Sequence, residues 1–154
     1  MRTLKVVGLA LVATLPCRAA VAQHTPAEGA HASANHVALY AGATMNHTTD
    51  FTLGLEYVRR QPNARFGFGG YLDLVLFAHD AEVLLGVTAN YFLSNVVLET
   101  GPGLVLSHGG EFLWRIGGGY DLKWQSLSVT PKAYVDFVAG ETFVGLGLAV
   151  GKGF

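Results

Sequence analysis

From residue 36 to its end the chain alternates large apolar side chains with small or polar ones, segment after segment. A β-strand sends successive side chains to opposite faces, so this period of two is the mark of strands with one apolar and one polar face. Over 111–124, one parity holds Phe112, Trp114, Ile116, Tyr120, Leu122 and Trp124. The other holds Leu113, Arg115, Gly117, Gly119, Asp121 and Lys123. The pattern predicts strands over 36–46, 51–61, 65–77, 82–93, 96–107, 111–124, 127–138 and 142–154. The breaks between them (NHTTD, QPNA, AHDA, LSN, SHGG, QS and AGE) carry turn-forming residues. All are short, so consecutive strands should pair as antiparallel hairpins.

Two closed structures use such alternation. A soluble barrel or sandwich buries the large apolar face and wets the polar one, whereas a membrane barrel turns the apolar face to lipid and the polar face to its lumen. Glycine decides between them. The chain has 20 glycines, and most of those beyond residue 35 fall on the polar parity. A solvated strand face gains nothing from glycine, which packs nothing and weakens the strand. The bore of an eight-stranded barrel is only wide enough for side chains to fill, so glycine on some strands makes room for larger groups from others. The chain is also poor in charge, at 14% against about 25% in an ordinary soluble domain. A formal net charge of −1 with 51% hydrophobic residues argues against disorder, and the lack of a basic stripe argues against a nucleic-acid partner. The fold class read from the sequence is an all-β, eight-stranded, antiparallel up-and-down transmembrane barrel over 36–154.

On this reading the polar parity places Glu56, Asp73, Glu99, Arg115, Asp121, Lys132 and Asp136 inside the bore. Buried ions must be paired, because isolated burial costs several kcal/mol each. A tight hairpin at Gln125-Ser126 sets Arg115 opposite Asp136 and Lys132 diagonal to Asp121, close enough to interact. The expectation is an internal salt-bridge network that fills the lumen. Aromatic residues fall in two bands, as expected of the two lipid–water interfaces. Phe51, Phe112, Trp114 and Phe137 lie towards one rim, and Tyr57, Tyr91 and Trp124 towards the other, with Phe66, Phe68 and Phe154. The strands reach the roughly 9–11 residues that a tilted lipid-spanning strand needs. Pro102 and Pro131 fall within strands, where each removes a ladder donor, and either local bulges or a parity displaced by one residue is expected there.

The beginning of the chain reads as an export signal. Arg2 and Lys5 precede the apolar run Val6–Leu15, Pro16 breaks it, and Ala20-Val21-Ala22 offers small residues for cleavage after Ala22. The run is too short to span a bilayer as a helix. Residues 1–22 are thus expected to be a secretory signal peptide, and 23–35 (QHTPAEGAHASAN) a flexible leader. Cys17, the chain's one cysteine, lies inside the signal segment. With both barrel termini on the periplasmic side, the breaks at 61–64, 93–95 and 125–126 face the periplasm, and those at 46–50, 78–81, 107–110 and 139–141 face outward.

Taken together, these residues resemble the small eight-stranded outer-membrane barrels of Gram-negative bacteria, similar to the OmpA transmembrane domain and OmpX. The resemblance covers roughly 36–154. Its most specific element is FVGLGLAVGKGF, with alternate apolar residues and a terminal Phe154. It implies that Val144, Leu146, Leu148, Val150 and Phe154 form the signal read by the barrel-assembly machinery, with outer-membrane lipid as the other partner and a monomer as the working unit. The short outward breaks depart from adhesive members of the group. Lys152 falls on the lipid parity, near enough to the end to snorkel.

Nothing in the sequence forms a recognisable catalytic, metal or cofactor site. His24, His31, His36, His47, His79 and His108 match no metal-ligand spacing. Ser107-His108 is the only adjacent Ser/His pair, and it stands in the reverse order to that of a lipid A deacylase among such barrels. The function expected is therefore that of an integral outer-membrane barrel of structural or unknown activity, without cofactor. The alternatives are a small-solute pore, a lipid A-modifying enzyme and a soluble lipocalin-like binding barrel.

Overall fold

The computed structural model describes residues 34–61, 64–77, 80–107 and 109–154. The signal peptide and most of the leader lie outside these residues. Among the described residues, nine strand segments make eight staves: β1 (Asn35–Met45), β2 (Thr49–Arg60), β3 (Phe66–Leu76), β4 (Ala81–Leu93), β5 (Val96–Val105), β6 (Glu111–Tyr120), β7 (Leu122–Trp124), β8 (Leu127–Val138) and β9 (Glu141–Gly153). Every pairing is antiparallel between staves adjacent in sequence, save that β1 also pairs with β9 and so closes the sheet. The barrel has no unpaired edge, which is the only way a sheet satisfies its backbone within a bilayer. Both ends of the barrel chain meet at one rim, where Asn35 N donates to Phe154 O (3.2 Å) and Phe154 N to Asn35 O (2.9 Å).

Segments β6 and β7 form one stave interrupted at Asp121, and the reason lies on the neighbouring strand. The β6–β8 ladder runs to Gly119↔Lys132 and resumes at Leu122↔Val129 in the same register. The unpaired stretch faces Thr130 and Pro131, and proline has no N–H to give. Pro102 acts likewise. The β4–β5 ladder lapses between Gly86↔Gly103 and Ala89↔Thr100, again without a shift of register. The bulges expected at the two prolines are absent. A bulge inserts an extra residue and turns the side chains beyond it to the other face; here the ladder loses bonds and the facing persists. The tight turn at Ala139-Gly140 has positive φ at both positions (49° and 88°), the geometry whose twist suits a two-residue hairpin.

The apolar parity forms the outside. Leu39 is 67% exposed and Val87 60%, and Leu55, Leu85, Ile116, Leu146 and Leu148 are exposed with them. The most deeply buried side chains are instead Arg115, Asp73, Asp136, Tyr40, Asn90 and Thr52, together with Leu113, which belongs to a small inward apolar cluster with Val75, Leu84, Val105 and Val138. A water-soluble barrel would be the reverse.

Candidate functional site

The interior is organised in tiers, each assembled from strands that are distant in sequence. At its centre the β6–β8 register sets Arg115 opposite Asp136. The guanidinium grips that carboxylate with two bonds, Nε to Oδ1 and Nη2 to Oδ2, both 2.7 Å. Its remaining arm, Nη1, crosses the bore to Asp73 Oδ2 on β3, also at 2.7 Å. The planar fork of arginine is suited to such bidentate pairing, which lysine could not reproduce.

Two tyrosines complete this tier. The Arg115 guanidinium lies 3.8 Å from the Tyr71 ring centroid and 3.9 Å from that of Tyr134, a cation held between two π faces. Each ring occupies space that glycine leaves. A Cβ on Gly86 would lie against the Tyr71 ring, and one on Gly145 against the Tyr134 ring. Tyr40 fills the space over Gly42 and Gly147 in the same way, 5.7 Å from Tyr134 between centroids. The glycines of the polar parity therefore make room chiefly for tyrosine, and the tyrosines then cage the arginine. Gly86→Val is expected to displace Tyr71 and destabilise the barrel by about 1–3 kcal/mol, the usual cost of overpacking; urea unfolding in lipid vesicles would measure it.

A second tier centres on Lys132. Its Nζ donates to Glu56 Oε1 on β2 (2.6 Å) and to Glu99 Oε2 on β5 (2.9 Å). Lys132 does not reach Asp121, contrary to the diagonal pairing expected from the hairpin geometry. Asp121 accepts instead from Thr130 Oγ1 at 3.2 Å. In each tier one cation thus faces two carboxylates. Smaller polar contacts continue the filling: Asn90 Nδ2 donates to Thr88 Oγ1 (2.9 Å) and Thr44 Oγ1 bonds Thr52 Oγ1 (2.7 Å). His36, at the start of the first expected strand, sits on β1, with Nε2 2.7 Å from Ser128 Oγ. The hydroxyls of Tyr40 and Tyr71 and Asp73 Oδ1 have no protein partner.

On the outer wall, Val144, Leu146, Leu148 and Val150 of β9 point away from the bore, and Phe154 is exposed beyond them. Phe51, Phe112, Trp114 and Phe137 are exposed near the rim opposite the termini, with Trp114 facing Phe137 in register. At the other rim Tyr57 donates to Asn35 Oδ1 (2.8 Å), Trp124 is exposed, and Tyr91 packs on Phe66 with centroids 4.8 Å apart. Among the described residues no group of His, Cys, Asp and Glu forms a metal-holding cluster. Ser107 Oγ accepts from Val83 N (2.9 Å); His24, His31, His79 and His108 lie outside the described residues, and His47 is exposed.

No family model and no curated protein matches the chain. Solved structures do. Neisserial surface protein A superposes with a TM-score of 0.54 at 9% identity, covering 78% of this chain and 96% of that one. The Yersinia pestis outer membrane protein Ail, solved in a phospholipid bilayer nanodisc, gives 0.51 at 12% identity, covering 78% of this chain and 99% of that one. The likeness is one of fold at very low identity. The chain has the closed, eight-stranded, antiparallel architecture of the small outer-membrane barrels.

Proposed function

We propose that this chain is an integral outer-membrane protein whose role is structural and whose lumen is closed by its own side chains. One observation carries the reading: large apolar side chains cover the outside all round, while glycine, tyrosine and paired ions fill the inside apart from one small apolar cluster. Only hydrocarbon rewards that inversion. The Arg115 and Lys132 tiers span the bore between β3, β6 and β8 and between β2, β5 and β8, which supports a plugged lumen over a conducting one. The outward alternation of β9 supports a role for Val144, Leu146, Leu148, Val150 and Phe154 in recognition by the assembly machinery. Outer-membrane lipid is then the working partner, and the barrel works as a monomer without cofactor or catalysis.

Outer-membrane fractionation followed by gel electrophoresis with and without boiling tests the reading. The protein is expected in the outer-membrane fraction, with a fast-migrating band that shifts on boiling, because a closed membrane barrel resists detergent until heated. Release into the periplasmic fraction without detergent would overturn the proposal. In the same assay, deletion of Phe154 is expected to lower the folded, heat-modifiable fraction several-fold. An unchanged fraction would remove Phe154 from the assembly signal.

A further inference from the structure

At the rim opposite the termini, the bore opens into a cavity of about 340 Å³. That is the lower end of the range for small-molecule sites. Part of its wall is apolar, formed by Val75, Leu84, Val105, Val138 and Phe143, which pack in one cluster with the fully buried Leu113. Glu82, Glu111 and Glu141 also line it. Glu111 and Glu141 are exposed at the starts of β6 and β9, and Glu141 accepts one bond, from Asn46 Nδ2 at 3.2 Å. Asp136 lies at the base of the cavity, with both its oxygens committed to Arg115.

No lysine or arginine lines this cavity among the described residues. The lysines and arginines of the described residues are placed elsewhere. Arg59, Arg60, Arg65, Lys123 and Lys152 stand towards the end where Asn35 and Phe154 meet, and Arg115 and Lys132 are held within the two tiers. The cavity is thus a cup that joins apolar walls to the exposed carboxylates of Glu111 and Glu141 at its mouth. A hydrated metal ion would gain nothing from hydrocarbon walls. A neutral apolar guest would strip water from the carboxylates of Glu111 and Glu141 and offer nothing in its place. An anion would be repelled.

We propose that this cup binds a small amphipathic organic cation: an amine bearing one compact apolar group, seated against Val75, Leu84 and Val138 with its ammonium at the level of Glu111 and Glu141. The inference goes beyond the structural role, and its test reads the cup itself whether or not that role holds.

The experiment uses the folded barrel, methyl-labelled for NMR, in zwitterionic phosphatidylcholine nanodiscs. It compares 4-phenylbutylamine with its neutral analogue 4-phenylbutanol, with empty discs correcting for partition. The amine is expected to shift the methyls of Val75, Leu84 and Val138 saturably and to leave those of Leu148 on the outer wall unmoved. The alcohol should need about ten times the concentration. Combining Glu111→Gln with Glu141→Gln should weaken the amine about tenfold and leave the alcohol unchanged. Val138→Trp, which fills the cup, should abolish both. If Val138→Trp fails to fold, the paired Gln variant decides, since both its positions are exposed. Absence of a saturable shift, equal binding of amine and alcohol, or amine binding unchanged in the paired Gln variant would each overturn the proposal. So would Mg²⁺ alone reproducing the shifts, which would make the cup a metal site.

Discussion

Replacing Arg115 with Met is expected to be among the most damaging single changes the barrel can suffer. The substitution keeps much of the side-chain bulk but removes the cation from between Asp73 and Asp136, each about 1% exposed and each bonded to it at 2.7 Å. Breaking a buried pair from one side leaves uncompensated charge and typically costs about 3–5 kcal/mol. Loss of the two cation–π contacts to Tyr71 and Tyr134 adds to this. Urea unfolding of the vesicle-inserted protein, followed by the loss of the heat-modifiable band, measures the effect. Arg115→Lys is expected to recover only part of it, because an ammonium cannot hold three oxygens in the plane between two rings. The triple change Arg115→Met, Asp73→Asn and Asp136→Asn should be less destabilised than Arg115→Met alone. If the single variant is as stable as the parent protein, Arg115 is not the keystone of the bore.

The second large effect is expected on the outer wall. Leu148 lies midway along β9, paired with Ala41 on one side and Pro131 on the other, and is 51% exposed. Leu148→Arg should cost about 2–4 kcal/mol in a bilayer, the penalty for a cation on the lipid face near the midplane. The same substitution in a soluble barrel would be nearly neutral at an exposed site. Lys152, on the same face but two residues from the end of the chain, reaches the interface, and Lys152→Leu should change stability little. A Leu148→Arg variant that unfolds at the parent's urea concentration would show that this face meets water.

Much of this architecture was legible in the sequence because a strand offers only two faces. Period-two alternation fixed which residues of each stave go in and out, and short breaks left few ways to join the staves. The two-residue turn at Gln125-Ser126 also sets register, so counting back from it places Arg115 against Asp136. The partners of Lys132 are not reached by such counting. Glu56 and Glu99 lie on β2 and β5, neither hydrogen-bonded to β8; they meet Lys132 only across the bore, and the depth of each stave in the tilted barrel depends on all the registers together. Asp73 reaches Arg115 for the same reason. The tyrosine cage was missed because parity says that a residue points inward, not what it lies upon. The signal was present in the inward tyrosines at 40, 71 and 134, each accompanied by glycines on its own or a paired strand. The prolines misled in the opposite sense: a missing N–H was expected to force an extra residue into the ladder, yet the strands tolerate a local gap.

The inversion of the barrel, with hydrocarbon side chains outside and ionic ones inside, is tested most directly by spin labelling along β9. The chain's one cysteine, Cys17, precedes the barrel, so single cysteines can be placed in turn from residue 144 to 151 of a version lacking residues 1–22. In lipid vesicles, labels at 144, 146, 148 and 150 should collide readily with oxygen and hardly at all with a water-soluble nickel chelate. Labels at 145, 147 and 151, where even a Cβ would meet the Tyr134 ring, the Tyr40 ring or His36, should instead hinder folding, and one at Ala149 should be immobilised and shielded from both. The opposite alternation, with the chelate reaching 146 and 148, or no alternation at all, would contradict the inverted barrel.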